Sequence, residues 1–148
     1  NLGKATLTLA FFFLSLYNIF NQQKPTGTWL ELCPSSQLCF QHPESLVAAN
    51  LQNIDSVAGQ LSNDNITLSY DLGWYSSQFR ELTRATSEPI LIDGHQGKLL
   101  LQDKKMALFI PQVKGKLRFS MLIEFKDIVE LEQGRKIFKS VKFNLNQS

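Results

Sequence analysis

At 148 residues the chain is sized for one domain. Hydrophobic residues make up 43%, aromatics 11% and charged residues 19%, with a net charge of only +2, which excludes a disordered chain. Eight Gly, five Pro and two Cys exclude collagen-like and disulfide-dense scaffolds.

These figures assign no activity, so the order of the residues has to carry the reading. Residues 5–20, ATLTLAFFFLSLYNIF, hold no charge. The run falls between the 10–14 residues of a signal-peptide core and the roughly 20 of a membrane-spanning helix. The chain opens on Asn, so residues upstream are expected to be missing. Lys4 precedes the run and no basic cluster follows it, which suits an N-terminus held in the cytoplasm. Residues 17–21, YNIFN, offer no small-x-small pair for a signal peptidase. The run therefore reads as an uncleaved anchor, with a removed signal peptide and a buried helix as the other readings. A type IV pilin start is set aside because the run contains no acid. Residues 1–20 are then the anchor or signal-like helix, 21–27 a Pro- and Gly-ended linker, and 28–148 a single domain.

Cys33 and Cys39 bracket a Pro-Ser-Ser-Gln-Leu loop. Behind an anchor they face an oxidising, periplasm-like compartment, where a disulfide closes such a loop. Free thiols are a second reading. Zinc is a third, with His42 and His95 completing four ligands, but five intervening residues exceed the usual two to four.

Strand signals dominate the rest. Thr28–Leu32 is short and apolar. Ser56–Leu61 and Ile66–Leu72 flank Ser62-Asn63-Asp64-Asn65, a run of strong turn formers. Ile66, Leu68, Tyr70 and Leu72 alternate with Thr67, Ser69 and Asp71, the pattern of a half-buried strand. Residues 75–88 stay open between a short helix and a loop. Pro89–Asp93 and Lys98–Gln102 flank Gly94-His95-Gln96-Gly97, read as a turn with Gly at each end. His42, before Pro43, reads as loop. Met106–Ile110 and Leu117–Phe125 flank a third loop over residues 111–116.

One helix follows. Asp127 is placed to cap it and Glu130 to close a capping-box variant. Ile128, Leu131, Phe138 and Val141 recur at helical spacing, with Gly134 thinning that face. Residues 140–143 alternate again as a short closing strand. The expected fold is α+β: a twisted, mostly antiparallel sheet with a C-terminal helix packed on one face, preceded by an N-terminal apolar helix.

Residues 66–143 carry I-x-L-x-Y-D-x-G-W-Y-S, then D-G at a hairpin, a long amphipathic strand, and a helix ending in I-F-K-S-V-K-F. This resembles the small α/β domains grouped with the PsbP photosystem subunit and the Ran-binding Mog proteins. The matching residues are Gly73-Trp74 and Ile137 through Phe143. The resemblance covers about half the chain. It implies a sheet-plus-helix fold and a role in binding or assembly, and it brings no catalytic residues.

Charge is uneven. Residues 24–97 hold three bases and eight acids; residues 98–142 hold eleven bases and five acids. Either the halves neutralise each other on folding, or the basic half faces an acidic partner or anionic lipid. Asp71, Trp74 and Tyr75 form a candidate recognition patch, since Trp and Tyr are favoured interface anchors. The plainer reading buries Trp74 under the helix. Lys114, Lys116 and Arg118 lie in a compact basic hairpin expected to flank that patch. Asp93 with His95, or Asp71, would serve a hydrolase-like enzyme. Phosphate-loop and dinucleotide glycine motifs are absent, and so is G-x-S-x-G. Asn65-Ile66-Thr67 fits a glycosylation sequon. The expectation is a non-catalytic, membrane-tethered domain that binds a protein partner, with no cofactor, no metal and no nucleic acid.

Overall fold

The computed structural model describes residues 27–49 and 57–146. The apolar run 5–20, read as the anchor, lies outside the described residues, as does all of the linker but Gly27. Among the described residues no helix is long and apolar enough to cross a membrane. The elements in chain order are β1 (Trp29–Ser35), β2 (Leu38–Pro43), β3 (Val47–Ala48), β4 (Val57–Ser62), β5 (Ile66–Gly73), β6 (Thr86–Ile92), β7 (His95–Gln102), β8 (Lys105–Lys114), β9 (Leu117–Phe125), α1 (Leu131–Lys139) and β10 (Lys142–Phe143).

Seven strands make one antiparallel sheet in the order β3-β4-β5-β9-β8-β7-β6. A smaller antiparallel sheet has the order β1-β2-β10. Period-two alternation decides what lies between them. Phe119, Met121, Ile123 and Phe125 of β9 point to one face and are buried. Leu68, Leu72, Leu99, Met106, Leu108 and Ile110 join them from the neighbouring strands. Leu38 and Phe40 of β2 and Ile137 and Phe138 of α1 close this core from above. The fold is thus α+β, mostly antiparallel, with a single C-terminal helix on one face.

The opposite face of the large sheet is covered differently. β5 lies third in the sheet and β6 lies at its far edge, so residues 74–85 must cross β9, β8 and β7. Phe79 and Leu82 of the crossing pack on Ala107, with Leu100, Phe109 and Leu122 around them. The segment left open between helix and loop is therefore an irregular strap held by apolar contacts.

Several boundaries differ from the sequence reading. The turn between β6 and β7 is Asp93-Gly94 alone, with φ of 48° and 80°. Positive φ at both central residues is the two-residue hairpin geometry that Asp-Gly favours. His95 and Gly97 consequently belong to β7, not to a four-residue turn. β8 runs on to Lys114, and Pro111 falls within the register irregularity between Ile110 and Lys114, where no regular ladder bond is lost. His42 lies buried in β2 with its Nδ1 2.8 Å from the Pro43 carbonyl oxygen, not in a loop.

The helix starts later than its capping pattern suggests. Asn65 is the reason. Its Oδ1 accepts the N–H groups of Asp127 at 2.9 Å and Ile128 at 3.0 Å, and its Nδ2 donates to the Ile128 carbonyl at 2.8 Å. Those bonds hold residues 126–128 against the β4–β5 turn and out of the helix. Glu130 occupies the N-cap without a side-chain cap bond, so Asp127 and Glu130 form no capping box. Ile128 and Leu131 are exposed; the buried face is Gly134, Ile137 and Phe138. Gly134 lets the Met106 thioether lie close against the helix, since a Cβ there would overlap it unless that side chain shifted.

The elements run between two ends. At one lie Gly27, the β4–β5 turn, Asp103-Lys104 and residues 126–131. A groove of about 370 Å³ there is lined by Trp29, Pro43, Asn65, Glu130 and Gln133. At the other lie the β1–β2 turn, Trp74-Tyr75, Asp93-Gly94 and Gly115-Lys116. There the Asn144 N–H donates to the Gln37 carbonyl at 3.0 Å and Lys114 Nζ to the Leu145 carbonyl at 3.0 Å.

Gly134→Ala should destabilise the domain by about 1–3 kcal/mol, the cost of overpacking a filled site. This outweighs the roughly 1 kcal/mol by which Ala is the better helix former. Phe138→Ala should cost about 3–5 kcal/mol. Urea unfolding measures both, and a Gly134→Ala protein as stable as its parent would show that the Met106 side chain moves aside without cost.

Candidate functional site

β5 ends at Gly73, opposite Arg118 of β9. The chain then turns sharply through Trp74 and Tyr75. Ser76 is what makes the turn rigid. Its side chain is buried, and its Oγ lies 2.9 Å from the Asp71 carbonyl, 3.1 Å from that of Arg118 and 3.3 Å from that of Gly73. A second serine repeats the device: Ser120 Oγ donates to the Ser77 carbonyl at 2.8 Å. Ser77 Oγ in turn accepts the Phe79 N–H at 3.0 Å, and Phe79 takes a left-handed φ of 56°.

The result is two aromatic side chains standing out of a pinned backbone. Trp74 is 57% exposed and Tyr75 86% exposed. Trp74 therefore does not lie under the helix. Lys116 Nζ sits 5.5 Å from the centre of the Trp74 ring, within cation–π range. Lys114 and Arg118 flank Lys116 on the same hairpin. Trp74, Tyr75, Lys114, Lys116 and Arg118 thus share one corner of the molecule.

Asp71 is set back from that corner. It lies on the strap side of the sheet and lines a cleft of about 270 Å³ with Ser69, Ser77, Glu81 and Ser120. Its Oδ1 and the Arg118 Nε are both buried without a hydrogen-bond partner among the described residues. The Tyr70 ring instead packs edge-on against Phe40 on the main-core face of β5, where burial pushes its phenol above the usual range, so it remains a neutral hydroxyl.

The hydrolase-like constellation is not assembled. Asp93 Oδ2 accepts the Phe143 N–H at 2.9 Å instead of orienting an imidazole. The His95 ring packs edge-on against Phe143, with centroids 5.2 Å apart, on the main-core face of β7. Asp71 occupies the opposite face of the sheet, on β5. Sheet position and face both separate it from His95.

Cys33 and Cys39 are joined in a disulfide across the β1–β2 hairpin. Both thiols are thereby withdrawn from any zinc site. Sequence reasoning passed over Ser76, Ser77 and Ser120, which do the positioning. The available signal was two serines directly after an aromatic pair, a pattern that supplies local side-chain bonds to a turn.

No protein-family model, curated protein or solved structure matches the chain.

Ser76→Ala should lower stability by about 1–3 kcal/mol, because buried carbonyls lose their donor. Amide hydrogen exchange should also accelerate at Trp74 and Tyr75 while the β8–β9 amides keep their protection. Unchanged exchange at those two amides would show that the strap alone holds the turn.

Proposed function

We propose that this is a membrane-tethered, extracytoplasmic binding or assembly domain without catalytic activity, and that it presents the Trp74–Tyr75 corner to a protein partner. One observation carries this reading: two large aromatics are exposed on a turn pinned from beneath by Ser76. Trp and Tyr supply most of the energy in many interfaces. A pinned turn also loses little freedom on binding.

Position supports the same reading. β5 spans eight residues, about 26 Å of strand, and its start lies at the end where Gly27 enters. A tether through residues 5–20 would hold that end at the membrane and point the aromatic corner away from it. The Cys33–Cys39 disulfide suits an oxidising, periplasm-like compartment, whether the domain stays anchored or is secreted after cleavage. The likeness of residues 66–143 to the PsbP and Mog domains favours binding over catalysis. The hydrolase-like alternative has less behind it, since Asp71 lies on the other face of the sheet from His95 and the Asp93 carboxylate accepts the Phe143 N–H.

Capture of a partner from native membranes, with the full chain as bait, tests the proposal. Trp74→Ala should weaken capture by about 30-fold or more, the effect of losing a hot spot of roughly 2 kcal/mol. Far-UV circular dichroism should not change. Tyr75→Ala should weaken capture less. Lys114, Lys116 and Arg118 should make association fall with salt. A folded Trp74→Ala variant with undiminished capture would overturn the assignment.

A further inference from the structure

We propose that the end of the domain opposite the aromatic corner rests on the surface of the bilayer. The inference deepens the tethered reading and depends on it. Eight large hydrophobic side chains are exposed among the described residues. Five of them, Leu30, Val47, Ile128, Val129 and Leu131, gather at the end where Gly27 enters. All five are aliphatic, and Val47 and Ile128 are 68% and 66% exposed. The other three, Trp74, Tyr75 and Leu91, lie at the far end, so the larger aliphatic group is the one at the tethered end. Five exposed aliphatics at one end form an apolar patch of the kind that marks an interaction surface, and lipid contact at that end accounts for it.

Two physical features place these aliphatics outside. Asn65 pulls residues 126–128 off the helix axis, so Ile128 and Val129 protrude instead of joining the α1 face. Val47 sits on the two-residue edge strand β3, opposite Ser62.

Chain length makes the bilayer the occupant. Only residues 21–26 separate the apolar run from Gly27, and six extended residues reach at most about 20 Å. If the run inserts, this end cannot leave the lipid surface by more than that. Charge selects the kind of surface. Lys104, Lys126 and Lys136 border the patch, but so do Asp127, Glu130 and Glu132. The mixture carries no strong sign, so the attraction comes from apolar contact and fits zwitterionic headgroups.

The two tryptophans make a built-in probe, since Trp29 lies at the tethered end and Trp74 at the far one. The full chain is reconstituted into phosphatidylcholine vesicles with and without dibrominated acyl chains, a contact-range quencher. Trp74→Phe leaves Trp29 as the reporter, and Trp29→Phe leaves Trp74. Brominated lipid should remove most Trp29 emission and leave Trp74 emission unchanged, with little dependence on salt. Ile128→Glu with Leu131→Glu should restore Trp29 emission while the chain still floats with the vesicles. Val47→Glu, on a different element, should restore it in part. Both sites are exposed, and circular dichroism verifies the fold of each variant. A floating chain with Trp29 unquenched would overturn the docked end and leave the tether standing. Quenching that survives the Glu substitutions would mean the tether alone brings Trp29 to lipid. Quenching of both tryptophans would lay the domain on its side and overturn the end-on arrangement. A chain that fails to float would remove tether and docked end together.

Discussion

The position of β9 between β5 and β8 governs this molecule. β9 is the last strand of the large sheet, yet it lies at its centre, paired on both sides. The chain leaving β5 therefore finds its neighbouring slot reserved and has to cross the sheet to start β6. That crossing, residues 74–85, covers the second face with Phe79 and Leu82. It also forces a sharp exit from β5. The exit is where Trp74 and Tyr75 stand, so the candidate site is a by-product of topology that Ser76 and Ser120 then make rigid.

The helix illustrates the same dependence on β9 from the other side. Met106 and Ile123 face it from β8 and β9, and the end of the Met106 side chain would have to shift to admit a Cβ at 134. Asn65 sets the helix start from the β4–β5 turn, sixty-three residues away from Ile128 in sequence. A local capping pattern at Asp127 could not compete with three long-range bonds from one amide side chain.

This explains which parts were legible in the sequence. Strands with strict alternation, such as Ile66–Leu72 and Leu117–Phe125, declare themselves because one face must be buried and the period is two. The disulfide partners were the only two cysteines. Phe138 and Gly134 were read correctly as one helix face, whereas Ile128 and Leu131 shared the spacing without sharing the burial. The Gly94–Gly97 turn was misread because two glycines suggested a wide loop, while Asp93-Gly94 alone satisfies a two-residue hairpin. The strap was opaque for a physical reason. It has no repeating period, and its stability comes from Ala107, Leu122 and Ser120 on strands that follow it in the chain. The corner was legible in its aromatics and illegible in its support.

Charge sorting along the chain resolves into two different uses. Arg84 pairs with Asp103 and Arg135 with Glu88, each joining the acidic half of the chain to the basic half. Both pairs are exposed, so they balance charge more than they stabilise. Lys114, Lys116 and Arg118 are used otherwise. They extend from the β8–β9 hairpin beside Trp74, and Lys116 lies over the indole ring instead of a carboxylate. A cation held on an aromatic keeps its charge available to an incoming acidic group, while the ring supplies the contact area. The hairpin that closes β8 against β9 thus also sets the electrostatic approach to the corner, and the same central strand that displaced residues 74–85 delivers Arg118 opposite Gly73 at the base of the turn.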